Sequence, residues 1–439
     1  MRLKAFGWTL ALVATLYTLT LGGTFNGLVE TRFRYLSLGG LALVVVVWLL
    51  TRWRGRWVWH RGPLDVAIVL WLAAFGLSLY TNMDAWRRIA IGLWFMGLYL
   101  GVFSILLDTL SNRGLSRESL TGALLAGGLL LLVFGYMQVA TFYAAGGGIP
   151  RPVSTLGNPN SLAAVLVVLV PLALSQAVAR AGVLRVLYTL YALMAALLLV
   201  MNFNLLSPRQ LAARWRTLRI SARAALVVGI VVALLALAAG AMYLVDTLDD
   251  PGRDLGLRTY LWNAALTMAA EKPIAGQGIY TFGRNLPLFD SIPPRQPHSH
   301  AHNAPLQIAA EVGIAGIAAL AVSAILVLIA VYLNWRCTRG PARLTLAGTG
   351  GAVTAFAVHH LLDLPAMVPA VALVGVMTLA ILIAPAQPVA LSFRGWRWSR
   401  GFGLVGLWAA LLVTGVWSSS VYAVYLDAMR QAVTDNDYP

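Results

Sequence analysis

Three of the chain's six histidines, His298, His300 and His302, fall within five residues, where a polar stretch gives way to an apolar one. Imidazole is the side chain that exchanges a proton near neutral pH, so this is the densest source of acid–base chemistry in the sequence. Asn303, directly after His302, suits a helix N-cap, and Pro305 falls in the first turn, where a missing N–H costs nothing. His302 therefore stands just outside a helix N-terminus, whose positive end disfavours an imidazolium and attracts anions. The pattern predicts a neutral, proton-accepting His302 beside a bound phosphate. The three histidines alternate, and in an extended segment could share a face and bind a transition metal. Ordinary loop residues account for His298 and His300 more simply, and no metal is assigned.

Past the cap, Asn303, Gln307 and Glu311 recur every four residues and line one helix face. Glu311 lies well inside an apolar helix, where an ionisable group needs a partner. At about 1.5 Å of rise per residue it is too far from His302 for direct contact, so hydrogen bonding along the polar stripe is its expected role. Gly313 and Gly316 permit close packing against a neighbour.

Upstream, Leu257 to Ala270 reads as an amphipathic helix with Arg258 and Trp262 one turn apart, a pattern suited to an interface. Gly276 and Gly278 then break the helix, and Phe282, Arg284 and the Ile292-Pro293-Pro294 run lead to the histidines. Arginine stays charged near lipid and grips phosphate oxygens with paired hydrogen bonds, which makes Arg258, Arg151 and Arg284 candidate anion clamps. The plainer alternatives are that Arg258 snorkels to lipid phosphates and that Arg151, beside Gly146 to Gly148, is a solvated loop residue. His359 and His360 precede Leu361-Leu362-Asp363 near the end of another apolar segment, where helix packing is as good an account as chemistry.

The elements that must carry these residues follow from composition. Hydrophobic residues make up 59% of 439 and charged residues 11%, with a mean hydropathy of +0.77. A soluble domain of this length would not tolerate that balance. Apolar runs of roughly 18 to 25 residues suit helices crossing about 30 Å of hydrocarbon. Twelve such segments are predicted: 5–22, 35–51, 64–80, 86–107, 118–142, 160–178, 184–204, 223–245, 304–333, 344–362, 365–385 and 402–425. The expected fold is an all-α polytopic membrane protein with an N-terminal bundle (1–245), an outer loop or cap (246–303) and C-terminal helices (304–439).

The net charge of +16 comes from arginines clustered in short connections, as the positive-inside rule predicts. Membrane lipid, and not nucleic acid, is the implied partner. Basic connections at Arg52 to Arg61, Arg113 to Arg117, Arg336 to Arg343 and Arg394 to Arg400 point to the cytoplasm, which puts 143–159 and 246–303 outside. Counting crossings from a cytoplasmic N-terminus conflicts with this between residues 160 and 245, where Arg209 to Arg223 form a further basic run. The first apolar run reads as a retained span. The single Cys337 lies in a basic loop, so no disulfide framework is expected.

Arg258 and Trp262, Gly276-Gln277-Gly278 and Phe282, then His302-Asn303, Leu306-Gln307, Glu311, Gly313 and Gly316, together resemble the O-antigen ligase and polymerase superfamily. Arg151 with Asn158-Pro159-Asn160 fits the same pattern. The Ser-Arg-Gly that follows the seventh span in that family stands here as Ser207-Pro208-Arg209-Gln210. The resemblance implies a C-type glycosyltransferase-like fold in a bacterial inner membrane, with its active site facing the periplasm and no cofactor. It implies transfer of a glycan from undecaprenyl diphosphate to lipid A-core. Such a transfer needs a base for the acceptor hydroxyl and positive charge for the leaving diphosphate. His302 is the expected base, and Arg258, Arg151 and Arg284 the expected clamps, with Asn303, Gln307, Trp262 and Glu311 supporting. No carboxylate pair suggests a covalent double displacement, so inversion in one step is expected. The alternatives are an O-antigen polymerase or a protein O-oligosaccharyltransferase of the same superfamily. A secondary transporter is disfavoured, because no symmetric pair of broken helices is evident.

Overall fold

The computed structural model describes residues 58–112, 114–147, 151–202, 254–289, 298–384 and 389–392. Among these lie ten helices: α1 (Leu64–Thr81), α2 (Trp86–Ser111), α3 (Arg117–Ala144), α4 (Pro159–Ala179), α5 (Gly182–Asn202), α6 (Asp254–Glu271), the single turn α7 (Phe282–Asn285), α8 (Ala304–Cys337), α9 (Pro341–His359) and α10 (Pro369–Ile383). The sequence segments 5–22, 35–51, 223–245 and 402–425, the run Arg209 to Arg223 and Ser207 to Gln210 lie outside the described residues.

Helix starts follow side-chain chemistry. Asn158 caps α4 by accepting from the N–H groups of Asn160 (2.8 Å) and Ser161 (3.2 Å), with Pro159 as the first helical residue. Asn303 caps α8 by accepting from Leu306 N–H at 2.9 Å. Each cap satisfies backbone donors that the helix itself leaves open.

Among the described residues, six helical segments are long and apolar enough to cross a membrane: α1, α2 with the turn before it (Met83–Ser111), α3, α4, α5 and α8. The predicted spans 344–362 and 365–385 appear as α9, which is not among the six, and α10, which is shorter. One short antiparallel pair departs from the all-helical expectation. Val58–Arg61 (β1) and Val389–Ser392 (β2) face each other with Val58 opposite Ser392. Two four-residue stretches outside the helices satisfy their backbone groups on each other.

α4 is the central helix, packed by α5 and α9 along its length and by α3 and α10, and most of its residues are buried. Within lipid, burying leucine against leucine gains little, so helices associate through close packing of small residues and a few polar bonds. Gly348 of α9 shows this. A Cβ there would stand 2.3 Å from the Cβ of Ser175 and 2.8 Å from the carbonyl oxygen of Pro171. Nearby, the Gln176 amide donates to Thr345 at 3.1 Å. The outward faces of α1, α5 and the second half of α8 expose Val69, Leu72, Val183, Leu187, Leu328 and Ile329, as a lipid-facing surface requires.

α8 is not the continuous helix that the apolar run 304–333 suggests. Gly313 takes φ +68° and ψ −159°, breaking the helix between two turns. The backbone groups freed by the break are taken up by the loop after α6. Ile314 N–H donates to Pro273 O (2.7 Å) and Ala315 N–H to Ile274 O (3.2 Å), while Gln277 N–H donates to Ala310 O (2.8 Å) and Gly278 N–H to Glu311 O (3.0 Å). Non-helical backbone within an apolar span is tolerated where protein groups take up its hydrogen bonds, as these four bonds do. Gly313 is thus a helix breaker as well as a point of close approach.

Candidate functional site

The two caps and two helix ends meet at one end of the bundle. α4 and α5 form a hairpin that returns the chain to its starting level, where Asn202 Nδ2 donates to Pro152 O (3.0 Å) and Pro159 O (2.9 Å). Here Asn202 and Arg151 share one end, and the crossing-parity question passes to residues 203–253, outside the described residues. The mouth of α8 and the last turn of α9 join them, since Ala304 N–H donates to His360 O at 2.8 Å.

The loop from α9 to α10 is pinned carbonyl by carbonyl. Beside the Ala304 bond, Asn303 Nδ2 donates to Leu361 O (2.8 Å) and Arg258 Nη1 to Leu362 O (2.7 Å). The His360 ring adds two further ties: Nδ1 bonds Phe356 O at 2.8 Å, and Nε2 accepts from Ala366 N–H at 3.2 Å. A carbonyl can only accept, so His360 is neutral with its proton on Nδ1. Its role is to fasten the loop.

What the loop presents is Asp363, a buried carboxylate with 6% of its surface exposed. Oδ1 accepts from Leu364 N–H (2.7 Å) and lies 2.6 Å from His302 Nδ1, while Oδ2 accepts from Asn160 Nδ2 at 2.6 Å. Burial alone would raise the Asp363 pKa. The bond from His302, the Leu364 N–H and the Arg258 guanidinium outweigh it and hold the carboxyl well below the usual range. Since the carboxylate has no proton to give, Nδ1 of His302 must donate. A neutral ring then carries its lone pair on Nε2, the nitrogen free to accept a proton. His302 adopts φ +52°, the left-handed region costly for a residue with a Cβ. Its side chain keeps 24% of its surface open. Strain of this kind persists where surrounding bonds over-determine the geometry, as they do here.

His300 stacks at a tilt on His302, with ring centroids 4.3 Å apart, and His298 stands 6.3 Å away. Burial, with His302 beside it, pushes the His300 imidazole down to about 4, and the same causes lower His298. Among the described residues, His300, His302 and Asp363 could hold a metal, their ligand atoms lying within 4.8 Å of one another. The alternation of three histidines in sequence did not identify that group.

The other predicted site residues divide. Arg258 reaches the α9–α10 loop directly. Arg151 donates from Nε to Asn202 O and from Nη2 to Asn160 Oδ1, both at 2.9 Å. Arg284 faces Asp84 at 3.9 Å across an exposed gap, at the turn between α1 and α2, and makes no such link to the His302 cluster. Trp262 sits on α6 with its buried indole N–H unpartnered. Gln307 Oε1 accepts from Ala301 N–H at 2.7 Å, fixing the segment before the cap. Glu311 is buried and accepts from Phe282 N–H at 2.9 Å, with Tyr280, Thr281 and Gln307 also bonding it. These bonds tie the stripe at Glu311 to the segment around α7.

Asp363 and Asn160 were not among the expected site residues. A signal for Asp363 exists in the sequence, because a carboxylate between Leu362 and Leu364 demands a partner as Glu311 does. Which partner it takes depends on a contact 61 residues away, beyond the reach of local pattern.

No curated protein matches the chain. Residues 165–321, from α4 through the mouth and break of α8, match the family model described as O-Antigen ligase.

Proposed function

We propose that this protein is an O-antigen ligase that transfers a glycan from undecaprenyl diphosphate to lipid A-core at the periplasmic face of the bacterial inner membrane. The observation that carries the reading is the 2.6 Å pairing of His302 with Asp363 at a helix mouth. In this reading Asp363 holds His302 with Nε2 facing the acceptor hydroxyl. Nε2 takes the proton as the hydroxyl oxygen attacks the anomeric carbon and the diphosphate departs with the bonding electrons, inverting the centre. General-base assistance is worth roughly 10²–10⁴-fold.

Arg258 is the first choice for the leaving diphosphate. One of its five N–H groups is used on Leu362 O, which leaves a fixed guanidinium with donors to spare. Arg284, turned toward Asp84 in the structure, is a weaker candidate for that role. The predicted basic connections Arg113 to Arg117 and Arg336 to Arg343 adjoin the ends of α3, α8 and α9 opposite His302. That arrangement supports a cytoplasmic face there and a periplasmic one at the site. Residues 246–303 would then form the periplasmic cap.

The test is reconstitution of the purified protein with undecaprenyl diphosphate glycan and lipid A-core, comparing wild type with His302→Ala. Extended lipid A-core from wild type alone is expected. Longer lipid-linked glycan or a labelled polypeptide would instead identify the polymerase or protein-glycosylating member of the superfamily, and equal turnover by His302→Ala would remove the base.

A further inference from the structure

We infer that Arg151 and Asn160 are positioning residues, which orient the Asp363 carboxylate against His302 through a chain of hydrogen bonds. The inference rests on the reading of His302 as base. The chain runs Arg151 Nη2 to Asn160 Oδ1 (2.9 Å), Asn160 Nδ2 to Asp363 Oδ2 (2.6 Å) and Asp363 Oδ1 to His302 Nδ1 (2.6 Å). It crosses four separate pieces of the fold: the loop before α4, the first turn of α4, the α9–α10 loop and the mouth of α8.

The order of atoms along the chain is forced. An amide can turn either end toward a neighbour, but a guanidinium only donates and a carboxylate only accepts. Arg151 therefore obliges the amide oxygen of Asn160 to face it, which turns the NH₂ group onto Asp363. With Oδ2 held this way and Oδ1 held by Leu364 N–H, the carboxylate cannot rotate away from the imidazole.

Arg151 is fixed in turn. Its Nε is bound to Asn202 O (2.9 Å), and the Asn202 amide ties Pro152 and Pro159 on both flanks of the loop. The loop turns at Ser154 with φ +51°, where Gln138 Oε1 accepts from Val153 N–H (3.1 Å) and Ser154 N–H (2.7 Å). That much support for one strained turn makes sense if the loop must deliver a guanidinium to a set place. Two N–H groups of Arg151 are committed inside the protein, whereas a residue whose task is to grip substrate would keep them open.

The test uses Asn160→Asp, Arg151→Gln and Arg151→Lys in the reconstituted full chain, with His302→Ala and wild type alongside. Asn160→Asp keeps the shape but sets two carboxyl groups face to face. The expected result is a fall in kcat of about 10²-fold, the scale of a misplaced catalytic group. KM for the lipid-linked glycan should stay within about threefold, since ground-state binding is untouched. Arg151→Lys, which can only donate to Asn160, should recover part of what is lost by Arg151→Gln, whose amide can turn either end toward it. Should Asn160→Asp fail to fold, the Arg151 pair decides alone. A rise in KM with kcat unchanged would make these residues substrate clamps and overturn the inference, as would an unmoved kcat. Full activity in His302→Ala would instead sink the base reading on which the inference stands.

Discussion

The imidazole of His302 and the carboxylate of Asp363 meet at 2.6 Å, although one belongs to the mouth of α8 and the other to the loop after α9. The pair carries the first prediction. Asp363→Asn keeps the shape but offers His302 a neutral partner that no longer dictates which ring nitrogen holds the proton. Transfer in the reconstituted assay should fall about 10²-fold or more, with KM little changed. A variant within twofold of wild type would show that the carboxylate does not act on the base.

Acid should loosen the same end of the bundle. The folded pKa of His300 is depressed to about 4 by burial and by His302, against about 6.5 in an unfolded chain. Between these values the unfolded state binds more protons, so stability rises with pH across that window. The contribution is complete above about 6.5 and is lost as pH falls toward 4. Asp363, held below its ordinary value, adds stability that is lost only at still lower pH. Melting temperatures in detergent should therefore drop as pH goes from 7 to 4, and His300→Gln should flatten that slope.

The break in α8 gives a stability prediction independent of catalysis. A Cβ at Gly313 would stand 2.6 Å from the carbonyl carbon and oxygen of Ile274, at a φ of +68°. Strain of this kind costs about 1–3 kcal/mol before any clash, so Gly313→Ala should lower the melting temperature and open the segment after α6. Glu311→Gln should act on the same segment through the bond to Phe282 N–H. Hydrogen exchange over residues 272–289 reads both, and unchanged protection would show that the loop does not depend on the break.

His300, His302 and Asp363 form a donor set that a divalent ion could use, yet the nearest pair already satisfies itself, His302 Nδ1 on Asp363 Oδ1. A strong chelator should leave the transfer rate unchanged, and added Zn²⁺ should inhibit by taking the base's lone pair. Loss of activity on chelation, restored by one divalent ion, would reassign the site to metal chemistry.

Much of this was legible in local pattern, and what was not has a physical reason. The cap at Asn303, the buried stripe through Glu311 and the helix carrying Arg258 follow from spacings of three and four residues. The apolar runs likewise mark α1, α3, α4 and α5 to within a few residues. Gly313 was visible only as a small residue, because a break in a helix needs something to occupy its freed backbone, and that partner lies some forty residues earlier, at Pro273 and Ile274. Asp363 and Asn160 escaped for the same reason. Each is unremarkable alone, and their chemistry exists only where α4, α8 and the α9–α10 loop converge. Arg284 carries the right charge for the expected clamp, but the fold turns it toward Asp84.

Arg258 separates a clamp from a lipid anchor. Its Nη1 holds Leu362 O, one residue from Asp363, so its removal should both free the loop and strip charge from the leaving group. Arg258→Ala should cost about 10²–10³-fold in turnover, the usual loss when one preorganised donor is removed. Arg258→Lys, which keeps charge but not the paired geometry, should recover only a part. Affinity for undecaprenyl diphosphate, measured without acceptor, should weaken in both variants. If the residue only reaches lipid headgroups, that affinity will stay at the wild-type value and turnover will instead vary with the anionic lipid content of the bilayer.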